Sequence, residues 1–218
     1  MTQYPLGRVV QHDPRSLAFP AALAPALKTV THRHYGPVLD QGQVGSCTGN
    51  AAAQSLNTVP LRHGRRLLTE IDAQGLYHEA TVLDGFPGTW PPTDTGSSGL
   101  AVAKASQQAG WVTGYTHAFG LDQCLAALVL APVIVGTNWH EDMFNPDAAG
   151  YVHPTGAIAG GHEYTLLGIN VKLGRVTMLN SWSASWGRNG RAYITFADLG
   201  TLLADSGDVV ALTATTSV

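Results

Sequence analysis

Gln41-Gly42-Gln43-Val44-Gly45-Ser46-Cys47 decides how this chain is read, because an Ala-rich stretch of helical character begins directly behind its cysteine. A cysteine in the first turn of a helix sits among unpaired N–H groups at the positive end of the macrodipole, and both favour the thiolate. Further along the chain come Gly160-Gly161-His162 and then Asn180-Ser181-Trp182-Ser183-Ala184-Ser185-Trp186-Gly187. A thiol, an imidazole and a carboxamide are the parts of a cysteine nucleophile system. Cys47 is the candidate nucleophile and His162 the candidate acid and base. Asn180 is placed to fix the orientation and tautomer of the imidazole. Gln41, six residues before Cys47 across a Gly-containing turn, can return its amide to the helix start and complete an oxyanion hole with the Cys47 N–H.

The chain of 218 residues is 44% hydrophobic, enough for one well-buried domain or two closely packed subdomains. A formal net charge of −3 and 12% charged residues give no basic footprint, so no nucleic-acid partner is expected. No apolar run reaches membrane-spanning length, which speaks against a membrane partner. Met1-Thr2-Gln3-Tyr4-Pro5 lacks the features of a signal peptide. The two cysteines, Cys47 and Cys124, allow at most one disulfide, and forming it would consume the nucleophile. Two free thiols and a cytoplasmic location are therefore expected.

Residues 1–40 read as an extended leader carrying Pro5, Pro14, Pro20, Pro25 and Pro37. Helices are expected from about Cys47 to Val59, from Thr69 with Asp72 completing a capping box, and across Leu100 to Ala109, opened by Ser97-Ser98 and ended by Gly110. Leu121 to Leu130 is a helical apolar run, in which Cys124 is an inert filler. Strands are expected at Pro132 to Gly136, Tyr164 to Val171, Arg175 to Leu179, Ala192 to Phe196 and Val209 to Leu212, with a turn at Lys172-Leu173-Gly174 and a short helix at Asp198 to Ala204. The result is an α+β chain, one domain over 1–218. Its mainly helical half covers about 41–120 and its mainly β half about 121–218, with a cleft between them.

The three blocks Gln41-Gly42-x-x-Gly45-Ser46-Cys47, Gly161-His162 and Asn180-Ser181-Trp182-Ser183-x-x-Trp186-Gly187-x-x-Gly190 resemble the signatures of papain-like cysteine peptidases. The resemblance implies that fold, a helical half and an antiparallel sheet or barrel flanking the active site. It also implies hydrolysis of peptide or protein substrates through a Cys47 acyl-enzyme, without a cofactor or metal. It assigns Cys47, His162, Asn180 and Gln41 their roles and makes Trp182 a shield over the His–Asn hydrogen bond. Asp94-Thr95-Gly96-Ser97-Ser98 resembles the loop that binds substrate backbone, which puts Gly96 and Ser97 along the cleft with Gly161. By the same register, Glu163 and Gly136 lie at the pocket for the second residue upstream of the scissile bond, suited to a basic or polar side chain.

The pattern departs from the family at three points. Val44 stands where secreted members carry a disulfide cysteine, and Thr48 where an aromatic is usual. His162 follows Cys47 by 115 residues, short of the about 130–150 usual in the family. This shortness, with Ser98-Gly99-Leu100 and no cysteine pairs, resembles compact bacterial or bacteriophage members, and for a phage-encoded chain the host cytoplasm or the virion is the expected location. The 46 residues ahead of Cys47 leave no room for a long inhibitory propeptide helix, so control by zymogen cleavage is not expected. Two rival readings stand beside the peptidase: a related hydrolase of peptidoglycan or isopeptide bonds, and a non-catalytic binding module on the same fold. His32, His34 and the cluster His140-Glu141-Asp142 lack the spacing of a closed metal site. Oligomeric state has no signature in the sequence.

Overall fold

A computed structural model describes residues 4–22 and 26–214; Met1, Thr2, Gln3 and Pro25 lie outside them. Among the described residues five α-helices and seven strands follow in order: β1 (Val30–Thr31), α1 (Cys47–Leu56), α2 (Glu70–Leu83), α3 (Gly99–Gln108), β2 (Val112–His117), α4 (Gly120–Leu130), β3 (Val133–His140), β4 (Ile158–Asn170), β5 (Arg175–Leu179), β6 (Arg191–Thr195), α5 (Phe196–Ala204) and β7 (Asp208–Ala214).

Local chemistry explains the helix starts. The Asp72 carboxylate accepts both the Thr69 N–H at 2.8 Å and the Thr69 hydroxyl at 2.9 Å, closing the first turn of α2. Ser98 Oγ accepts the Ala101 N–H at 3.1 Å and caps α3. Helix α1 stops three residues short of the expected Val59, and tertiary pairing is the reason. Tyr35 donates its N–H to Asn57 O at 3.0 Å and Val59 donates to Arg33 O at 3.1 Å. The Asn57 side chain meanwhile exchanges hydrogen bonds of 2.8 and 2.9 Å with the Leu68 backbone. Residues 57–59 are thus drawn into pairing with the leader instead of continuing the helix.

The strands form one antiparallel sheet in the order β2-β7-β3-β4-β5-β6, and β1 pairs with β4. Two apolar clusters flank it. One gathers α1, α2 and α3 through Ala51, Leu56, Leu76 and Val102; the other joins α4, α5 and the sheet through Leu128, Trp139, Tyr164 and Leu199. Strand β2 lies inside the range read as mainly helical. It is an edge strand whose middle residues are half-buried, so it lacks the apolar alternation that reveals a strand in sequence.

Strands β3 and β4 are longer than expected. The eight residues of β3 pair with β4 from Val133↔Leu166 to His140↔Ile158. His162 therefore stands inside a central strand, paired with Thr137, and not in a loop before one. Gly160 and Gly161 look like loop residues in sequence. In the fold they clear space above the strand: a Cβ on Gly160 would lie 2.9 Å from Leu6 Cδ1, and one on Gly161 2.4 Å from Arg8 O.

Candidate active site

Cys47 is the first residue of α1 and is completely buried. Ser46 stands at the N-cap position without a side-chain cap, which leaves first-turn N–H groups free to face the sulfur. The backbone N–H groups of Glu163, Gly7 and Thr48 aim at it and favour the thiolate, yet burial dominates and pushes the Cys47 thiol up to about 12. Cys124 is likewise free, buried and pushed up to about 12 by burial.

Strand β4 brings His162 to the same place, since the residue that follows it directs its N–H at the Cys47 sulfur. The imidazole lies 2.7 Å through Nε2 from Asn180 Oδ1. Ser181 donates its backbone N–H to that same oxygen at 2.8 Å, so the oxygen end of the amide is fixed. The tautomer follows: Nε2 carries the hydrogen and Nδ1 presents a lone pair. Nδ1 is buried and has no hydrogen-bond partner. Burial holds the His162 ring down to about 4, with the Asn180 bond pulling the other way. Thiol and imidazole are both neutral with the cleft in this condition.

Two indoles enclose the ring. Trp182 stacks on it with centroids 4.6 Å apart, and Trp139 meets it edge-on at 4.8 Å. Trp182, which the resemblance makes a shield over the His–Asn pair, lies with its ring against the imidazole face. Trp139 was not singled out there, for nothing local distinguishes it from a core aromatic.

Gln41 is fixed to the Asn180 block. Its Oε1 accepts the Ser181 hydroxyl at 2.6 Å and its N–H donates to Ser181 O at 3.0 Å. The side-chain Nε2 donates to Val44 O at 2.8 Å and, at 3.4 Å, to the Pro5 carbonyl. Pro5 O thus stands where a carbonyl oxygen meets the Gln41 amide. Asp94 secures the loop from below, accepting the Gly45 N–H at 2.8 Å and the Tyr77 hydroxyl at 2.6 Å. The Tyr77 oxygen in turn accepts the Gly96 N–H at 2.9 Å. One carboxylate therefore ties the Gln41–Cys47 loop to the Gly96-Ser97 segment.

The leader has a role that its sequence did not reveal. Residues 4–9 run along the cleft between the two halves. Ser97 donates its N–H to Gly7 O at 2.8 Å, Val9 donates to Ser97 O at 2.7 Å, and Arg8 donates to Gly161 O at 2.9 Å. Tyr4 stacks on Trp182, centroids 4.5 Å apart and planes 8° from parallel. A Cβ on Gly96 would lie 2.3 Å from Gly7 O, and one on Gly136 2.6 Å from Arg8 Nε. The expected substrate-binding residues Gly96, Ser97, Gly136, Gly161 and Trp182 all touch this segment, and Glu163 faces its arginine. An extended segment, not a long helix, lies in the cleft.

Asp208, at the start of β7, is a further residue that sequence reasoning missed. It accepts Arg8 Nε at 3.0 Å and Nη2 at 2.5 Å. An aspartate opening a short strand carries no local signal of such a role. Of the histidines weighed as metal ligands, His32 and His140 have backbone contacts, whereas His34 Nε2 is buried without a hydrogen-bond partner. His32 Nε2 lies 2.7 Å from Leu128 O, and His140 Nδ1 lies 3.1 Å from Gly156 O. Among the described residues no group of three His, Cys, Asp or Glu side chains is arranged to hold a metal, and no helix is long and apolar enough to cross a membrane.

No family model matches the chain. It is 36% identical over 61 residues to cathepsin B-like cysteine proteinase 6 of Caenorhabditis elegans, covering 27% of this chain and 16% of that protein. With cathepsin B-like cysteine proteinase 5 of the same organism it shares 29% identity over 117 residues, 46% of this chain and 34% of that one. The matches thus span about a third or less of the curated relatives. Solved structures match over most of the chain. Xylellain, a cysteine protease from Xylella fastidiosa, superposes with a TM-score of 0.75 at 17% identity, covering 97% of this chain and 96% of its own. Procathepsin L 3 of Tenebrio molitor larval midgut gives 0.65 at 16% identity, with 96% and 75% covered. Bromelain from Ananas comosus gives 0.59 at 16%, with 83% and 94% covered. The chain has the papain-like cysteine protease fold.

Proposed function

We propose that this chain is a cysteine peptidase that hydrolyses peptide bonds through an acyl-enzyme on Cys47. The observation that carries the reading is the Asn180 Oδ1 contact of 2.7 Å to His162 Nε2, which leaves Nδ1 as a buried, unpartnered proton acceptor beside the nucleophile's helix. His162 Nδ1 takes the thiol proton as sulfur bonds to the substrate carbonyl carbon, and the carbonyl π pair moves onto oxygen. Gln41 Nε2 and the Cys47 N–H receive that oxyanion. Its collapse breaks the C–N bond, and the proton passes from Nδ1 to the departing amine. A water then loses a proton to Nδ1 and attacks the thioester carbonyl. The C–S bond breaks, and the proton returns to sulfur.

Neutral Cys47 and His162 reflect burial. An open cleft solvates both groups, and a thiolate–imidazolium pair becomes accessible.

The test is alkylation combined with turnover. Iodoacetamide labels Cys47 in the wild type, Cys47→Ala abolishes both labelling at that position and hydrolysis of a casein-type substrate, and Cys124 stays unmodified. Labelling confined to Cys124, or full hydrolysis by Cys47→Ala, overturns the proposal. Clearing of cell-wall suspensions without casein hydrolysis would transfer the same nucleophile to peptidoglycan.

A further inference from the structure

His162 keeps its hydrogen on Nε2 only while Asn180 holds still. The Asn180 side chain is fixed through its oxygen end, since Nδ2 is buried without an acceptor. Where that oxygen stands therefore depends on the backbone of the same residue. The Asn180 N–H donates to Gly190 O at 2.9 Å. The Asn180 carbonyl is met by a side chain from the nucleophile's own helix: Gln54 Nε2 donates to it at 3.3 Å.

Gln54 follows Cys47 by seven residues in α1. Seven residues are about two helical turns, so both side chains leave the helix on the same face. The residue is 0% exposed. Its other end, Oε1, accepts the Leu39 N–H at 3.3 Å. Leu39 belongs to the short run that pairs with the Asn180 block. Ser183 donates its N–H to Leu39 O at 3.1 Å, and Gln41 donates to Ser181 O at 3.0 Å. One amide thus joins the segment that carries Gln41, the helix that begins with Cys47 and the backbone of the residue that orients His162. A second buried bridge runs beside it. Thr165 Oγ1 donates to Ala51 O at 2.8 Å and lies 3.3 Å from Ser55 Oγ, which ties α1 to the strand of His162.

Every residue of α1 is buried, and a glutamine there is costly unless both ends of its amide are satisfied. An apolar residue is the ordinary occupant of such a position. Both Gln54 bonds are long for N–H···O, so the pair adds little to net stability. Its effect is on register. An amide with a donor end and an acceptor end fits only where Asn180 O and the Leu39 N–H stand at the matching places.

We propose that Gln54 is a positioning residue for the His162 imidazole, acting through the Asn180 backbone and locking it to the helix that carries the nucleophile. The inference rests on the peptidase reading for its consequence in turnover. Gln54 does not act on the reacting atoms; its amide ends on Leu39 and Asn180. Without it the Asn180 carbonyl is free to shift, Oδ1 moves against the ring, and the hydrogen is no longer held on Nε2. The other tautomer carries it on Nδ1, which then has no lone pair to take the thiol proton.

The experiment compares wild type with Gln54→Met, which keeps the length and removes both donor and acceptor. In ¹⁵N spectra of the histidine-labelled chain near neutral pH, the His162 signals are those missing from His162→Phe. Wild type is expected to show the Nε2–H tautomer alone and Gln54→Met a mixture of the two. On a casein-type substrate Gln54→Met is expected to lower kcat about tenfold with KM nearly unchanged. In the Asn180→Ala background the same substitution is expected to cost no more than about twofold, because the path through Asn180 is already cut. Gln54→Asn keeps an amide but is one methylene too short to span both partners, and is expected to behave like Gln54→Met. It serves as the second variant should Gln54→Met not fold, as judged by its melting transition. A single tautomer in both variants, or the same loss of kcat with and without the Asn180 side chain, overturns the inference. A tautomer mixture in the variants of a chain that hydrolyses no peptide would uphold the positioning role while the peptidase reading falls.

Discussion

Asn180 Oδ1 receives two donors at once, His162 Nε2 at 2.7 Å and the Ser181 N–H at 2.8 Å, and the second donor makes the first unambiguous. Removing this acceptor frees the imidazole to rotate and to change tautomer. Asn180→Ala is expected to lower kcat about a hundred-fold, with KM changed little. Asn180→Asp, which keeps an acceptor, is expected to recover part of the loss and to shift the acid limb of the pH–rate profile upward, because a carboxylate favours imidazolium. A profile of unchanged shape in both variants would show that Asn180 acts through packing alone.

Gln41 does two jobs with the two ends of one amide. Oε1 holds the Ser181 hydroxyl at 2.6 Å, while Nε2 faces the carbonyl in the cleft. Gln41→Ala is expected to cost roughly a hundred- to a thousand-fold in kcat. Gln41→Glu keeps the shape and the acceptor but loses the donor, and should be as impaired as the alanine variant. Near-normal turnover by Gln41→Glu would remove Gln41 from the oxyanion hole.

The buried imidazole makes stability depend on pH. Burial lowers the His162 value from 6.5 to about 4, so the unfolded chain takes up the proton first as pH falls. The associated stability is fully present above about pH 6.5 and is lost as pH falls through that window, about 3 kcal/mol by pH 4. Glu163, raised by burial, contributes in the opposite sense, so the clean measurement is a difference. Urea unfolding of wild type and His162→Phe at pH 7 and pH 4.5 should show wild type losing more stability on acidification. Parallel losses would refute the assignment.

Tyr77 stands between two walls of the cleft, donating to Asp94 at 2.6 Å and accepting from Gly96 at 2.9 Å. Tyr77→Phe leaves a buried N–H and part of a carboxylate unsatisfied, at a cost of about 1–3 kcal/mol. Thermal unfolding should register that loss, and KM should rise more than kcat falls, because the Gly96-Ser97 rail shifts while the triad keeps its bonds. An unchanged KM with an unchanged melting point would refute it.

Sequence and structure agree best where function is local. The Gln41–Cys47 run, Gly161-His162 and the Asn180 block are each read within a few residues, and the fold brings His162 against Asn180 and Gln41 against Ser181. The helix starts at Thr69 and Ser98 were legible because capping is a contact between near neighbours. What was hidden depends on register. Arg8 and Asp208 are 200 residues apart and meet only because β3 aligns Gly136 between two carboxylates. Strand β2 was hidden by its half-exposed edge, and the end of α1 by pairing with a distant leader. The glycines at 160 and 161, ordinary as loop residues, acquire their meaning only when another backbone crosses above them.

The segment lying along Ser97 and Gly161 is part of the same covalent chain as the groove it fills. A tethered occupant experiences a local concentration on the order of millimolar whatever the protein concentration. Dilution does not release it, and a free peptide must outbid that local concentration to enter. One cut in the chain after Val9 changes the arithmetic. The fragment then becomes an ordinary ligand at the protein's own low concentration, and dilution empties the groove that tethering keeps filled.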